Sequence, residues 1–290
     1  MTVGLLHPGE MGAAVGAVLR SRGEVVLWAS SGRSDATTER ARQAGIEDVV
    51  TIDELARRSD VIVSLCPPHA AIDTARLVHR FNGIYVDANA VSPATARTIA
   101  DLVSHYVDGG IIGGPPREPG TTRLYLSGAN AESVAALFAD TALEAIVVST
   151  EPDAASALKM AYAAWTKGTA ALLLAVRALA RAEGIEQNLL AEWQSSMPQL
   201  LDQSLTAARS ALGKGWRWVG EMHEIAETFA AAGLPDGFHQ AAGEIYRRAP
   251  RTPGDADDGL ELVLSGLLTS WQKEAIGPKT GDQRRGNSQR

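Results

Sequence analysis

The sequence predicts an α/β fold: a doubly wound sheet in the N-terminal half, then an all-α C-terminal domain entered through one long helix. Three observations carry this expectation. Short apolar runs alternate with helical segments from Val3 to about Val148. A glycine-bearing turn, His7-Pro8-Gly9-Glu10-Met11-Gly12, joins the first apolar run to the first helical segment. From Asp153 onward the chain turns alanine-rich, and apolar residues recur at helical spacing.

Taken in order, residues 3–6 read as a strand, 13–22 as a helix and 25–28 as a second strand. A helix is expected over 37–44, a short strand over 49–51 and a short helix over 53–58. Residues 61–66 form a near-continuous apolar run, as a buried parallel strand does, and Pro67-Pro68 end it. A helix over 70–80, a strand over 84–87 and a helix over 94–102 follow. Residues 105–108 lead into a segment with glycine at 109, 110, 113 and 114, a density that implies little side-chain cover and room for a ligand. Strands at 124–127 and 145–148 flank a helix at 132–140.

The long helix is expected over 156–183. Leu158, Tyr162, Trp165, Thr169, Leu172, Val176 and Leu179 alternate in steps of four and three along one face. At 1.5 Å per residue it is roughly 40 Å long, a length suited to the spine of a homodimer. Further helices are expected at 189–210, 219–232, 238–248 and 260–271.

The 290 residues suffice for two domains, and 45% apolar with 21% charged content is that of a soluble globular protein. No apolar run reaches the roughly 20 residues of a membrane helix. The first strand is expected almost at Met1, so no signal peptide is expected. The single cysteine, Cys66, excludes an internal disulfide and fits a reducing cytosol, so a cytoplasmic protein is expected. The six histidines show no metal-ligand spacing, and no metal is expected. A net charge of −7 without a long basic run argues against a nucleic-acid partner.

Strand, glycine turn, helix and strand are the opening unit of a dinucleotide-binding Rossmann fold. Glycine lets backbone approach a pyrophosphate, and free N–H groups at the helix start hold its charge. Of the three fingerprint glycines the first is His7; Gly9 and Gly12 stay in register. The second strand ends in Ala29-Ser30-Ser31-Gly32-Arg33-Ser34 and lacks the carboxylate that holds a ribose 2′-hydroxyl in NAD-binding folds. Hydroxyls with a guanidinium suit a 2′-phosphate, so NADP(H) is expected ahead of NAD(H). The competing reading makes Arg33 a solvated loop residue. Residues 1–151 are thus expected to be the dinucleotide-binding domain, 152–276 an all-helical substrate and dimerisation domain, and 277–290 a disordered tail.

The turn at 7–12, Asp87-Ala88-Asn89, residues 108–114, Ala157-Leu158-Lys159-Met160-Ala161-Tyr162 and Trp218-Val219-Gly220-Glu221-Met222 together resemble the β-hydroxyacid dehydrogenase superfamily. That superfamily includes 3-hydroxyisobutyrate and 6-phosphogluconate dehydrogenases. The likeness spans roughly residues 2–272 and is nearest to a phosphogluconate-dehydrogenase-like branch with its own C-terminal helical domain. In that superfamily a lysine near the start of the interdomain helix assists hydride transfer, and Lys159 matches it. Independently, a partly buried lysine there has a pKa drawn toward neutrality and can serve as acid or base; the competing reading is a surface lysine on an amphipathic helix.

The chain departs from the pattern where Ala163 replaces an asparagine, Asn89 and Ile112 replace serines, and Glu221 replaces a lysine. Losing those hydroxyls weakens a substrate-carboxylate cradle. The resemblance implies Gly9, Glu10, Met11, Gly12, Ser30, Ser31, Arg33, Cys66, Pro67, Pro68 and Asn89 at the cofactor. It implies Asn89, Gly113, Gly114, Tyr162 and His223 at a small-molecule substrate. The expected function is NADP(H)-dependent hydride transfer to or from a small carbonyl or hydroxy (hydroxyacid-type) compound. Imine reduction and a non-catalytic NADP(H)-binding sensor are the alternatives.

Overall fold

The computed structural model describes residues 1–252 and 258–275. It contains two compact units: Met1–Gly168 with Arg217–Gly243, and Thr169–Trp216 with the described residues from Glu244 on. The first unit opens with β1 (Thr2–Leu6), α1 (Glu10–Ser21), β2 (Val25–Trp28), α2 (Asp35–Gln43), β3 (Glu47–Asp48) and α3 (Ile52–Arg58). It continues with β4 (Val61–Ser64), a 3₁₀ turn (Pro68–Ala70), α4 (Ala71–Leu77), β5 (Ile84–Asp87) and α5 (Pro93–Ala100). Then come β6 (His105–Ile112), β7 (Thr122–Ser127), α6 (Ala131–Ala135) and β8 (Leu143–Ser149). The helical part comprises α7 (Ala154–Ala182), α8 (Glu186–Ser196), α9 (Gln199–Ala231), α10 (Gly237–Arg248) and α11 (Gly259–Ala275).

The eight strands lie in the order β3-β2-β1-β4-β5-β6-β7-β8, and only the β6–β7 pairing is antiparallel. The chain leaves β1 in one direction and returns at β4 to build in the other. The crevice beyond the carboxyl ends of β1 and β4 is therefore the topological switch point, where such sheets bind ligands. Alternation along the strands sends Val3, Leu5, Val61, Val63 and Val86 to one apolar layer and Leu6, Leu27, Ile62 and Tyr85 to the other. Truncating one of these, such as Leu5, to Ala would cost about 2–5 kcal/mol.

Several element boundaries differ from expectation for identifiable reasons. The third strand is Glu47–Asp48, not 49–51, because Val50 takes a left-handed φ of 68° and leaves the ladder. Helix α1 begins at Glu10, so half of the glycine turn is its first helical turn. The helix expected over 189–210 is two: Pro198 separates α8 from α9. Conversely, α9 runs unbroken through Gly213, Gly215 and Gly220, where two helices were expected. Its buried positions Ala207, Ala208, Ala211, Leu212, Met222, Ile225 and Ala226 keep one helical period across the glycines. In the second unit the guanidinium of Arg177, 6% exposed, donates to Glu186 (2.7 Å) and Ser204 (2.9 Å), and Arg181 donates to Glu186 (2.9 Å) and Glu261 (2.7 Å). These bonds tie α7 to α8, α9 and α11. The tail at 277–290 lies outside the described residues. No helix among the described residues is long and apolar enough to cross a membrane.

Candidate functional site

The glycine turn divides its labour among three positions. His7 adopts a left-handed φ of 68°, the conformation the first fingerprint glycine ordinarily supplies. Its ring Nδ1 is buried without a partner among the described residues, and burial, aided by Arg33, lowers the pKa to about 4, so the ring is neutral. Gly12 is required by packing: a Cβ there would meet the His7 carbonyl oxygen at 2.5 Å. Gly9, the N-cap of α1, has nothing within 4 Å of a built Cβ and no side-chain cap. The N–H groups of Glu10, Met11 and Gly12 thus begin a helix beside open space, as an anion site needs.

The loop after β2 is held in place by backbone. The Ser30 N–H donates to Asp48 Oδ1 at 3.2 Å, the Ser31 N–H to the Val50 carbonyl at 2.9 Å and the Arg33 N–H to the Ser30 carbonyl at 3.0 Å. Asp48 is thereby committed to backbone donors, and the Ser30 and Ser31 hydroxyls stay available. Ser34 caps α2, which brings Arg40 round so that Nε donates to the Pro8 carbonyl at 3.4 Å and Nη2 to Thr37 Oγ1 at 3.0 Å. Arg40 and Thr37 join Arg33 next to the glycine turn. Sequence reasoning missed both, since the Arg40–Pro8 contact crosses 32 residues.

At the ends of β4 and β5, the Cys66 N–H donates to Asn89 Oδ1 at 2.5 Å and Asn89 Nδ2 donates to Ser64 Oγ at 3.2 Å. Asn89 is 3% exposed, so its amide locks the two strand exits together and fixes the backbone leading into Pro67. Burial raises the Cys66 pKa, making the thiol a neutral group.

On β6 the glycines serve packing more than the ligand access expected of them. A Cβ on Gly109 would meet the Asp87 carbonyl at 3.0 Å, and one on Gly110 would meet Lys159 Cβ at 2.9 Å and the Ala155 carbonyl at 3.0 Å. Gly113, at φ 123°, would collide with the Thr121 carbonyl at 2.5 Å. Of the four, Gly114 alone faces open space. Ile112 is 4% exposed, part of the packing. Helix α7 thus lies directly on β6, and Lys159 Nζ donates to the Ile111 carbonyl at 2.7 Å. Burial, seconded by the nearby Lys167 ammonium, lowers the Lys159 pKa to about 8. Only two lysines, 159 and 167, occur before residue 214 in a chain otherwise rich in arginine.

Farther along the same face, Lys167 pairs with Glu221 of α9 and lies 5.4 Å from the Trp218 ring centroid. Glu224 of α9 accepts the Ser92 N–H at 2.7 Å and the Thr95 hydroxyl at 3.0 Å at the start of α5. Tyr162 is 48% exposed, and His223 is exposed with its ring beside Gly243; among the described residues no bond holds either near Lys159. Two carboxylates that the sequence reading passed over sit behind the site. Asp87 and Asp108 are register partners on β5 and β6, both 0% exposed; burial pushes their pKa values up to about 7 and about 6.

The glycine turn, Cys66, Asn89 and Ile111 close neighbouring parallel strands β1, β4, β5 and β6 at one edge. Three strand spacings separate the first from the last, about 14 Å. The edge presents, in sequence, an open helix N-terminus, uncharged strand exits and one lysine of lowered pKa. These features follow the pattern of a Rossmann-type sheet, whose carboxyl edge offers an open helix N-terminus for an anionic group, with an ionisable side chain beyond it. A family described as a domain of unknown function (DUF1932) matches residues 180–249. An uncharacterized 28.5 kDa protein in a 7S RNA 5′ region of Methanothermus fervidus is 31% identical over 193 residues, 66% of this chain and 75% of that protein. Among solved structures, a conserved protein of unknown function described as structurally similar to 3-hydroxyacid dehydrogenases is 28% identical with TM-score 0.66, covering 92% of this chain and 99% of that one. Two others share the fold at lower identity. Mycobacterium tuberculosis 3-hydroxyisobutyrate dehydrogenase with L-serine is 16% identical with TM-score 0.66, covering 93% and 98%. An Aspergillus terreus reductive aminase in complex with NADPH4, cyclohexanone and allyl amine is 19% identical with TM-score 0.53, covering 93% and 99%. The chain belongs to the family of the Methanothermus protein, within the β-hydroxyacid dehydrogenase-like superfamily with a C-terminal helical domain.

Proposed function

We propose that the protein is a nicotinamide-dependent oxidoreductase that uses NADP(H) to reduce or oxidise a small carbonyl or hydroxy compound, with Lys159 as the acid/base group. The observation that carries this is the Lys159 ammonium, bonded to the end of β6 with a pKa near 8, on the sheet edge that bears the open α1 N-terminus. A nicotinamide cofactor supplies the hydride. The N–H groups of residues 10–12 beside Gly9 would hold its pyrophosphate, and Ser30, Ser31, Arg33, Thr37 and Arg40 its 2′-phosphate. Cys66, Pro67 and Pro68 would border the nicotinamide, on backbone fixed by Asn89. Gly114 would face the substrate, with packed Gly113 shaping the turn that carries it and Tyr162 and His223 farther out.

One Lys159 proton is engaged by the Ile111 carbonyl, which leaves two to donate. In the reducing direction the ammonium gives a proton to the substrate oxygen; in the oxidising direction the amine takes it back. The helical part from α7 on, read from the sequence as residues 152–276, would serve substrate binding and dimerisation, although α7 to Gly168 and Arg217–Gly243 pack with the sheet unit. The exposed row Tyr162, Trp165, Leu172 and Leu179 on α7 supports packing against a second copy, and the lone cysteine supports a cytosolic setting.

Buried Ile112 and the internally bonded Asn89 favour one other reading, reduction of a C=N bond, because both remove polar groups from the carboxylate cradle. NADPH oxidation with paired ketones and cyclic imines separates the two. Turnover of ketones abolished by Lys159→Met upholds the lysine-assisted carbonyl reaction. Turnover of imines alone replaces it, and tight NADPH binding without turnover of either replaces both with a sensor.

A further inference from the structure

Lys159 leaves α7 little more than one turn after that helix begins, so whatever fixes the first turn fixes the ammonium. That turn is held by a carboxylate from the sheet. Asp108 Oδ2 accepts the Ser156 N–H at 2.7 Å and the Ser127 hydroxyl at 3.3 Å, and Oδ1 accepts the Ser156 hydroxyl at 2.6 Å. Ser127 Oγ accepts the Ala155 N–H at 3.0 Å. Asp108 and Ser127 are register partners on β6 and β7, and all three polar side chains are 0% exposed. Two of the N–H groups that a helix start leaves without partners are thus satisfied by two adjacent strands.

Strand and helix then keep step. Asp108 meets Ser156, and three residues on in each element Ile111 meets Lys159. Between them Gly110 lets the backbones close, since a Cβ there would strike Ala155 and Lys159.

We propose that Asp108 is a positioning residue for Lys159: with Ser127 and Ser156 it sets the depth at which α7 lies on β6, and so holds the ammonium over the end of that strand. The inference rests on the reading of Lys159 as the acid/base group. Burial lifts the Asp108 pKa only to about 6, so at neutral pH the group is mainly a carboxylate with lone pairs turned to its donors. The charged groups bearing on Lys159 are Lys167 and Glu221, on other turns and elements.

The chain has lysine at only 159, 167, 214, 273 and 279, so NMR of the full protein carrying ¹³Cε-lysine can follow Lys159, assigned by its loss in Lys159→Arg. No substrate is needed. In Asp108→Ala the Lys159 midpoint is expected to rise by about one pH unit or more, as the ammonium slips toward water. Asp108→Asn, which keeps a capping oxygen, is expected to restore most of the wild-type value. An unchanged midpoint in Asp108→Ala with lowered thermal stability would make Asp108 a purely structural cap. A fall, or equal shifts in the Ala and Asn variants, would make it a through-space charge effect; both results overturn the proposal. If Asp108→Ala does not fold, the Ser127→Ala/Ser156→Ala double variant takes its place, with a smaller rise expected and no shift counting against the proposal. An ordinary lysine midpoint in the wild-type protein would instead sink the acid/base reading itself.

Discussion

Replacing Asp87 by Asn tests whether the carboxyl edge of the sheet stores an uncharged acid. The side chain is fully buried, Oδ1 accepts the Asn89 N–H at 2.9 Å, and Oδ2 has no partner among the described residues. Burial, reinforced by Asp108, pushes its pKa from 3.8 to about 7. An acid whose native pKa is raised contributes its full stability below the unfolded value and loses it as pH climbs through the folded one. About three pH units at ~1.4 kcal/mol each make about 4 kcal/mol of destabilisation by pH 8. Asn is uncharged at every pH and keeps the acceptor, but it places an NH₂ where no acceptor is seen, which costs about 1–2 kcal/mol. Asp87→Asn is therefore expected to be about 2–3 kcal/mol more stable than wild type at pH 8, with the advantage vanishing near pH 5. Urea denaturation at both pH values, followed by tryptophan fluorescence and circular dichroism, measures it. A difference independent of pH, or a loss of stability at pH 8, would refute the reasoning.

Three other substitutions have defined outcomes. Lys159→Met is expected to slow turnover by about 10²–10⁴-fold with NADPH affinity within a few-fold of wild type; in the wild-type protein, reduction is expected to fall and oxidation to rise as pH passes about 8, visible in stopped-flow absorbance. Gly110→Ala puts a methyl 2.9 Å from Lys159 Cβ, so melting is expected to show a loss of about 1–3 kcal/mol together with reduced turnover. His7→Gly relaxes the left-handed backbone and removes a buried neutral ring whose native pKa, about 4, lies below its unfolded 6.5. That ring's contribution is complete above 6.5 and is lost as pH falls toward 4, so the variant is expected to gain about 1 kcal/mol at pH 5 relative to its effect at pH 8, after allowance for solvent screening.

The strands and the glycine turn were legible because burial on both faces writes continuous apolar runs, as at residues 61–63, and because a tight strand-to-helix turn restricts residue choice. What stayed hidden was non-local. Gly109 and Gly110 look like ligand-facing glycines in one dimension. In three, Gly110 lies under α7 while Gly109 packs against the Asp87 carbonyl and Leu124, and the absence of a Cβ looks the same in sequence for either role. From the sequence one helix was expected to run through Pro198 and end near Gly213, whereas α9 starts after the proline and keeps its buried helical period through Gly213 and Gly215. The roles of Asp87 and Asp108 stayed hidden, since their pairing joins positions 21 residues apart. Arg40 lies on a helix whose relation to Pro8 no local pattern encodes.

The central claim, that a nucleotide's phosphates settle beside Gly9 with the 2′-phosphate between Arg33 and Arg40, is tested most directly by titration calorimetry of NADPH and NADH. NADPH is expected to bind at least about tenfold more tightly than NADH, with Arg33→Ala and Arg40→Ala each removing about 1.5–3 kcal/mol from NADPH alone. No measurable uptake of either nucleotide, or equal affinity for both that the two substitutions leave unchanged, would contradict the account.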